Sequence, residues 1–475
     1  MTWRLLPAAS MAALLLQACA VGPNYRRPET VMTESFRGQE VVEPESLADL
    51  PWWEVFHDDV LQGLIVEALK NNYDLRTAVS RVEQARGQLI TTRSAIFPQL
   101  GYQGDAARGR MFFGFTGNRT FDVFAGLFNM SWEVDLWGRI RRASEASMAD
   151  LLASNDFRRG VVLSLVSEVA TSYLTLLELD LELEIARQAT KTFQDTLDLF
   201  VRQFEGGIGT MLAVARGKAA LAQAAAGIPD TERRIVTTEN AISILLGWPP
   251  VSIPRGTSLT DQQFPPRPPA GVPAAILAKR PDIMQTEENL RSANALVGVA
   301  VADFFPRIGL TALYGGQSSE LADVVKPAGN VWQIAASVAG PLFQGGRLIG
   351  NYKSAKANWE ATKSQYEGTV INALREVSDA LVDAEKLQGV RDENAKAVTA
   401  LREASDLATV RYTGGLATYF EVLEAQQQLF PAETTLAQVE LQQLVAVVRL
   451  YAALGGGWSE GEQQVPLNAF PNWPP

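Results

Sequence analysis

Two stretches of the chain, 141–204 and 349–412, contain no proline and predict long continuous helices. At 1.5 Å per residue each helix would be about 96 Å long, far beyond the mean helix of a globular domain. Towards the C-terminal end of each stretch, positions spaced alternately three and four residues apart lie on one face of the helix, a spacing typical of left-handed coiled coils. The positions are Thr190, Phe193, Leu197, Phe200 and Phe204 in the first stretch, and Val398, Leu401, Ser405, Ala408 and Tyr412 in the second. A helical barrel or coiled coil is expected, and a large helical bundle is the alternative because small residues weaken the second seam.

A glycine pair follows each predicted long helix, Gly206-Gly207 in the first case and Gly414-Gly415 in the second. Glycine just past a helix supplies the left-handed conformation that ends it, so each pair predicts a tight tip between two helices. The tips are expected over 205–210 and 413–418, and the following helices over 211–246 and 419–454. Apolar periodicity in these following helices resumes at Leu212, Ala215, Ala219 and Ala222 in the first, and at Phe420, Leu423, Gln427 and Phe430 in the second.

Two other segments, 97–138 and 305–341, alternate apolar and polar residues and predict β-hairpins with four strands in all. The apolar rows are Leu100, Tyr102, Gly104 and Ala106; Phe124, Phe128, Met130 and Trp132; Ile308, Leu310, Ala312 and Tyr314; and Trp332, Ile334, Ala336 and Val338. Alternating strands of about 9–11 residues are what a transmembrane barrel needs. Four strands cannot close a barrel, so closure would require at least two chains; soluble antiparallel hairpins are the alternative.

These elements occur twice at one offset of 208 residues, which indicates two copies of one unit. The matched pairs include Phe97-Pro98 with Phe305-Pro306, Gly138-Arg139 with Gly346-Arg347, and Leu246-Gly247 with Leu454-Gly455. We assign the copies to 61–247 and 274–455, each beginning with a helix. Between them 248–273 carries eight prolines and predicts a linker, and 456–475 forms a C-terminal tail.

The N-terminus predicts a signal peptide over 1–18, because its apolar run over 5–16 is too short to span about 30 Å of hydrocarbon as a helix. Leu16-Gln17-Ala18-Cys19 resembles a bacterial lipobox, whose Cys is acylated and begins the mature chain. Cys19 would then anchor a lipidated N-terminal segment, 19–60, and Ala20 in place of Asp favours the outer membrane by the same resemblance. The alternative is an ordinary signal peptide with an incidental Cys.

Composition argues against catalysis and against nucleic-acid binding. The chain has one Cys, one His and a formal net charge of −11. These counts exclude an intrachain disulfide framework, a Cys-based zinc cage and a paired-His metal site, and they weaken hydrolase mechanisms that need a His base. The motifs HExxH, GxxxxGK[ST] and GxSxG are absent from the sequence. We expect no enzyme activity, no cofactor and no metal.

An ordered set of motifs resembles the outer membrane factor family, the TolC-like outer membrane efflux proteins, and within it the lipidated NodT-type branch. The motifs are Cys19-Ala20-Val21-Gly22-Pro23-Asn24-Tyr25, Trp52-Trp53 with Phe56 and Asp59, Arg280-Pro281-Asp282, Phe304-Phe305-Pro306-Arg307, Gly340-Pro341-Leu342-Phe343 with Gly345-Gly346, Tyr419-Phe420-Glu421-Val422-Leu423-Glu424-Ala425-Gln426, and Ala453-Leu454-Gly455-Gly456-Gly457-Trp458. Together they cover essentially the whole mature chain.

The resemblance implies a mainly helical chain with a transmembrane β part, which forms a homotrimer in the bacterial outer membrane. Four strands from each chain would close a twelve-stranded barrel, and the long helices would form a periplasmic α-helical barrel. The implied function is the exit duct of a tripartite efflux system, which passes drugs, toxic compounds or metal ions from an inner-membrane RND-type pump and a periplasmic adaptor protein. The alternatives are the exit duct of a protein-secretion system and a structural outer-membrane lipoprotein without a pore.

The same resemblance suggests which residues meet the adaptor and which form the constriction. The candidate docking tips are Gly206, Gly207, Thr210, Gly414, Gly415 and Thr418, and the candidate gate residues are Arg202, Arg411, Tyr412 and Glu421. Relatives often carry an Asp just after the second tip glycine, which gives the trimer an acidic ring. This chain has Ala417 and Thr418 there, so the nearest acid is Glu421.

Overall fold

The structure is a computed structural model that describes residues 20–30, 33, 35–37, 47, 52–112, 118–262 and 273–456. The predicted signal peptide and Cys19 lie outside the described residues, as do 263–272 of the predicted linker and nearly all of the predicted C-terminal tail.

Helices account for most of the described chain, and four strands form one sheet. The helices are α1 (Trp52–Val55), α2 (Asp59–Asn71), α3 (Tyr73–Ser94), α4 (Arg139–Glu205), α5 (Met211–Leu245), α6 (Ile276–Lys279), α7 (Pro281–Ala302), α8 (Arg347–Thr413) and α9 (Tyr419–Ala453). The strands are β1 (Gln99–Phe112), β2 (Asn118–Val134), β3 (Arg307–Ser318) and β4 (Asn330–Ala339), and short 3-10 turns lie at Leu259–Asp261, Pro273–Ala275, Leu321–Asp323 and Pro327–Gly329.

The internal repeat is confirmed by the element bounds. Helices α4 and α8 both have 67 residues, α5 and α9 both have 35, and each second-copy helix begins 208 positions after its counterpart. Helix α4 begins two residues before the predicted boundary because the Asp135 carboxylate accepts hydrogen bonds from the N–H groups of Ile140 and Arg141, at 3.1 and 2.9 Å. A side-chain cap of this kind replaces the partners that the first turn of a helix lacks.

Packing divides the chain into two compact units, which we describe separately. The sheet unit comprises 1–29, 80–156 and 285–368, and the tip unit comprises 30–79, 157–284 and 369–475. The tip unit contains the C-terminal halves of α4 and α8, and both tips. Its apolar cluster consists of Phe193, Leu197, Phe200, Ala213, Val214, Ala220 and Leu423, so three residues of the predicted first seam are buried there.

The apolar positions noted in α5 are not the positions that are buried within the single chain. Leu212, Ala215, Ala219 and Ala222 are exposed, whereas Ala213, Val214, Gly217 and Ala220 are buried. Small apolar residues occur all round this helix, so periodicity could not choose the face. Packing chooses it, because a side chain at Gly217 would lie 3.2 Å from Phe200 and 3.3 Å from Leu197.

In α9 the periodic positions and the buried positions agree only in part. Leu423 is buried and Phe430 is partly buried, but Phe420 and Gln427 are exposed, and Val422, Gln426 and Leu429 complete the buried face.

Candidate functional site

The four strands form an antiparallel sheet in the order β1-β2-β3-β4, whose register aligns one apolar row across all four. Tyr102 pairs with Phe128, Phe128 with Tyr314, and Tyr314 with Trp332. The next row is Leu100, Met130, Ala312 and Ile334. Tyr102 is 86% exposed and Trp332 is 72% exposed. Such a continuous exposed aromatic and aliphatic face is the kind of surface that contacts lipid.

The opposite face of the same sheet is mostly polar or small, although it also carries the large apolar residues Phe121, Val123, Leu127, Leu313 and Val331. Its polar members are Gln99, Gln103, Asp105, Asn129, Ser131, Glu133, Thr311, Gln317, Gln333 and Ser337. Because successive side chains of a strand point to opposite faces, the register separates a mainly apolar face from a mainly polar one. This is the pattern of a transmembrane barrel strand, with hydrocarbon on one side and a water-filled lumen on the other.

The outer strands of the sheet, β1 and β4, each pair on one side only in the described chain. An unpaired edge leaves backbone N–H and C=O groups without partners, which hydrocarbon does not tolerate. The wall can therefore exist in a membrane only when strands of other chains complete it.

The two tips repeat one backbone geometry. Gly207 has φ +76° and Gly415 has φ +74°, the left-handed conformation that ends α4 and α8. In the first tip the N–H of Ile208 donates to the carbonyl oxygen of Gln203 at 3.0 Å, and in the second the N–H of Leu416 donates to that of Arg411 at 2.8 Å. These bonds satisfy carbonyl groups that the last turn of each helix leaves free.

A threonine begins the helix after each tip. Thr210 Oγ1 accepts the N–H of Ala213 at 3.2 Å and so caps α5. At the start of α9, Thr418 and Glu421 form a reciprocal capping box in which the N–H of Thr418 donates to Glu421 Oε1 at 3.0 Å. The predicted docking residues Thr210 and Thr418 thus hold the shape of the turns.

An aliphatic residue stands at the apex of each tip. Ile208 is 82% exposed and Leu416 is 75% exposed, and they occupy equivalent positions of the repeat. Sequence reasoning chose the glycines beside them and missed these two side chains, although their 208-residue offset was available as a signal.

The four predicted gate residues have different environments in the single chain. Tyr412 donates its hydroxyl to Gln203 Oε1, and its ring lies edge-on to Phe200 with centroids 5.6 Å apart. Arg411 donates to the carbonyl oxygen of Leu416 at 3.2 Å, within its own tip. Arg202 is exposed, and Glu421 is held by its capping box. Tyr412 is thus the one of the four that these contacts place between the two hairpins.

Further contacts join the two hairpins. The buried side chains of Thr196 and Gln426 are hydrogen-bonded at 3.0 to 3.1 Å, and the rings of Phe193 and Phe430 lie 5.4 Å apart. Sequence reasoning missed Gln203 and Gln426, because an isolated polar residue on a long helix gives no signal of what it faces.

In each copy an equivalent polar contact ties the start of the helix before the strands, α3 or α7, to the end of the last helix, α5 or α9. Arg280 is buried, forms ion pairs with Asp282 at 2.7 Å and Glu376 at 2.8 Å, and donates to the carbonyl oxygen of Ala453 at 2.9 Å. The equivalent position of the first copy is Asn72, whose side chain donates to the carbonyl oxygen of Leu245 at 3.0 Å. The Arg-Pro-Asp motif is thus a helix-end clamp in this structure.

The N-terminal strap, which we define as residues 20–30, is fixed to the sheet unit by hydrogen bonds. The N–H of Val21 donates to the carbonyl oxygen of Trp137 at 3.0 Å, and the buried Arg142 donates to Asn24 Oδ1 at 2.7 Å. A side chain at Gly22 would lie 2.5 Å from the Cα of Gly298, so this close crossing requires glycine.

Farther along the strap, a buried carboxylate holds two arginines. Glu287 of α7 pairs with Arg27 at 2.6 Å and Arg291 at 3.0 Å, and it accepts the hydroxyl of Tyr25 at 3.2 Å. Burial opposes ionisation of Glu287, but the bonds from Arg27 and Arg291 outweigh it and lower its pKa. The strap is therefore locked to α7 at several separate points.

Comparison with known proteins places these features in one family. The chain matches the outer membrane efflux protein family over residues 64–248 and 272–456, the two copies of the repeat. It is 31% identical to the cation efflux system protein CusC of Escherichia coli over 94% of this chain and 98% of that relative. It is 32% identical to the probable efflux pump outer membrane protein TtgC of Pseudomonas putida over 95% of each.

Its fold resembles the open state of the MtrE outer membrane channel of Neisseria gonorrhoeae, with a TM-score of 0.85, 32% identity, and coverage of 92% of this chain and 98% of that one. The two matched ranges agree with a tandem repeat. The chain belongs to the outer membrane efflux protein family.

Proposed function

We propose that this chain is the outer-membrane exit duct of a tripartite efflux pump and that three copies close it. The observation that carries the proposal is the four-stranded wall with a mainly apolar face, a mainly polar face and two open edges. Three chains supply twelve strands, which is an even number within the range of known outer-membrane barrels. The long helical hairpins then supply a passage through the periplasm.

The mass of the detergent-solubilised complex tests this assembly. Light scattering with correction for detergent should give three chains per particle. A particle of one chain or of two chains would contradict the proposed barrel.

The duct conducts cargo passively, and we propose that the cargo is a small molecule or ion. One relative is named for cation efflux and another, the toluene efflux pump protein TtgC of Pseudomonas putida, for efflux of an organic solvent. Relatives of nearly equal identity to this chain, 31% and 32%, thus bear names for different cargoes, and neither name chooses a cargo for this chain. We assign selection to an inner-membrane RND-type pump. Expression in a strain that lacks its own duct should restore resistance to whichever compounds the resident pump exports.

The tips are the proposed docking sites for a periplasmic adaptor protein. Each tip presents an exposed aliphatic side chain, Ile208 or Leu416, on a turn that glycine and threonine hold in shape. An exposed apolar side chain on a rigid turn is suited to insertion into a groove of a partner. Three chains would offer six such tips.

The double variant Ile208→Asp, Leu416→Asp tests this docking. It should lose co-purification with the adaptor while the mass of the complex is unchanged, because a carboxylate would be buried at each contact. Val236→Asp, at an exposed apolar position of α5 away from the tips, is the matched control. Equal adaptor recovery from the double variant and the control would exclude the tips.

We propose that the constriction lies beside the tips and that Tyr412 is its central member, with Arg202, Arg411 and Glu421 around it. The bond from Tyr412 to Gln203 and the contact with Phe200 support this role, since they tie one hairpin to the other. Opening would require these contacts to break. Arg202 and Arg411 are exposed in the single chain, and we expect them to face neighbouring chains of the trimer.

Cys19 is the proposed site of lipidation. The strap supports this role, because it fixes Ala20, the next residue, beside Gly138, where β2 has ended and α4 begins. An acyl chain on Cys19 would then enter the membrane next to the strands. Labelled palmitate should be incorporated into the wild-type chain and not into Cys19→Ser, and label retained in that variant would exclude Cys19.

A further inference from the structure

The connection between β3 and β4, residues 319–329, is folded down onto the sheet. Two 3-10 turns, Leu321–Asp323 and Pro327–Gly329, give it internal hydrogen bonds, among them Lys326 N–H to the Asp323 carbonyl oxygen at 3.1 Å. Lys326 Nζ also pairs with the Asp323 carboxylate at 2.6 Å. We call this segment the outer loop.

The outer loop lies on the apolar face of the sheet. Gly316 belongs to that face, two residues from Tyr314, and a side chain there would overlap the carbonyl oxygen of Val324. A side chain at Gly126 would lie 3.9 Å from Val324 Cγ1. Gly104, Gly126 and Gly316 are paired across three strands and form a flat shelf. The loop rests on its Gly126 and Gly316 part and leaves Gly104 open to the cleft.

A cleft of about 790 Å³ separates the outer loop from the aromatic row. Its wall is formed by Tyr102, Phe128 and Tyr314 of the sheet, with Val324, Val325, Lys326 and Pro327 of the loop opposite. Cavities of this size hold ligands in many proteins. Lys326 is the one charged side chain in the lining, and its ion pair with Asp323 offsets its positive charge in the cleft.

The loop also carries apolar side chains that nothing in the described chain covers. Val325 is 90% exposed, and Leu321 is exposed as well. These residues continue the apolar face of the wall, which contacts hydrocarbon in the membrane. Aromatic rows of this kind lie at the level of the lipid head groups, where apolar side chains find acyl chains on one side and water on the other.

We propose that the outer loop and the aromatic row form a binding site for an acyl chain of a membrane lipid, with Leu321 and Val325 inserted into the same leaflet. The cleft is apolar, it opens on the lipid-facing side, and it is continuous with the surface that lipid covers. The proposal rests on the membrane placement of the sheet and is independent of which cargo the duct carries.

Photo-crosslinking tests occupancy of the cleft. The purified trimer is placed in vesicles of phosphatidylethanolamine and phosphatidylglycerol that contain a phosphatidylcholine with a diazirine in its acyl chain, and crosslinked peptides are mapped by mass spectrometry. Gly104 lines the cleft, and a side chain there meets no atom within 4 Å. Gly104→Val should narrow the cleft without moving the loop and lower the yield on outer-loop peptides by about tenfold, the effect of excluding about two methylene groups of the acyl chain.

Ala336→Val is the matched control, because Ala336 is exposed on the same apolar face and is absent from the lining of the cleft. Its crosslinking yield on the outer loop should equal that of the wild type. Equal yields from Gly104→Val and the control, with both trimers intact by mass, would overturn the acyl-chain site.

A fluorophore at position 325 tests insertion of the loop separately. The environment-sensitive dye NBD is attached to Val325→Cys or, as a control on the same loop, to Glu320→Cys, and labelling of the parent chain sets the background. Lipids with a doxyl group should quench the label at 325 more strongly than the label at 320. Equal quenching at both positions, with equal access to iodide from water, would show that the loop stands clear of the membrane.

Discussion

The two tips share a backbone and differ in their polar side chains. Both have a left-handed glycine and a threonine cap, but Ala213 of the first copy stands where the second has Glu421, and Gln203 stands where the second has Arg411. Ala213 is buried in the apolar cluster, whereas Glu421 closes a capping box. Duplication therefore kept the turn, which glycine geometry dictates, and changed the polar groups that could gate it.

Substitution of the left-handed glycines should have the largest effect and should be equal in the two copies. Gly207→Val and Gly415→Val each force a β-branched residue into a positive φ, which distorts the tip and should abolish export. Trimers should still reach the outer membrane. Drug or metal susceptibility of a strain that depends on the chain measures the effect.

Gly414→Ala is the control for this pair, because an added side chain there would meet only ordinary contacts, 3.4 Å from the carbonyl oxygen of Val410. Its export should stay near that of the wild type. If strains with either valine variant had the same drug or metal susceptibility as the wild type, a role of the tips in export would be contradicted.

A second comparison concerns Glu178 of the first copy and Lys386, which occupies the equivalent position of the second. Glu178 is buried, whereas Lys386 lies on the surface and pairs with Glu385. Burial, with the nearby Glu182 charge, raises the pKa of Glu178 to about 7, and its Oε1 has no hydrogen-bond partner in the described structure. The folded chain therefore favours the protonated carboxyl more than the unfolded chain does. Stability should fall as pH rises from about 4.5, where the unfolded carboxyl ionises, to about 7, and should then level off.

Glu178→Gln should remove this penalty. Its gain in the free energy of unfolding should be about 2 to 3 kcal/mol above pH 7 and should vanish below about pH 4. Chemical denaturation across that pH range measures it, with Lys386→Gln as the counterpart that should change little. A gain that is independent of pH would contradict the buried, protonated carboxyl.

The first tip is the tighter turn, and one residue tests that difference. A side chain at Gly209 would lie 2.6 Å from the backbone nitrogen of Phe204, whereas the second copy accepts Ala417 at the equivalent position. Gly209→Ala should destabilise its tip by about 1 to 3 kcal/mol. Ala417→Gly should cost its tip at most about 1 kcal/mol. Amide hydrogen exchange at each tip measures the effect. An equal increase in exchange at the first tip in Gly209→Ala and at the second tip in Ala417→Gly would contradict this asymmetry.

Loss of the hydroxyl that joins the hairpins should have the smallest effect on stability. Tyr412→Phe removes the hydrogen bond to Gln203 but keeps the ring packed on Phe200, and it should cost about 1 kcal/mol. Because the bond ties one hairpin to the other, the variant should also open more often in planar bilayers. Gln203→Leu should behave in the same way, and a difference between the two variants would show that Tyr412 has another partner in the trimer.

Regular features of the fold could be predicted from the sequence, because they depend on local chemistry. The mixed helical and strand class and the tandem repeat are confirmed. The positive φ of Gly207 and Gly415 follows from where a glycine stands relative to the end of a helix. The apolar rows of the sheet could be predicted because apolar residues alternate along each strand. The 208-residue offset is even, so the same alternation falls on the same face in both copies.

Features that depend on distant partners could not be predicted. The apolar periodicity of α5 includes Leu212, which is exposed, whereas the buried position that faces Phe200 is Gly217. The bond between Tyr412 and Gln203 joins residues 209 positions apart. The resting place of the outer loop depends on a glycine shelf that appears only when three strands are placed in register.

Single-channel recording in planar bilayers tests the central claim most directly. Purified wild-type complex should give discrete conductance steps of one size, because three amphipathic walls enclose a water-filled lumen. Gly415→Val, which should leave the barrel intact, should also insert into the bilayer. The contradicting result is a wild-type protein that is a trimer by mass and inserts into lipid but gives no conductance steps at any voltage. If Tyr412→Phe also gave no steps, the assignment of this chain as an exit duct would be wrong.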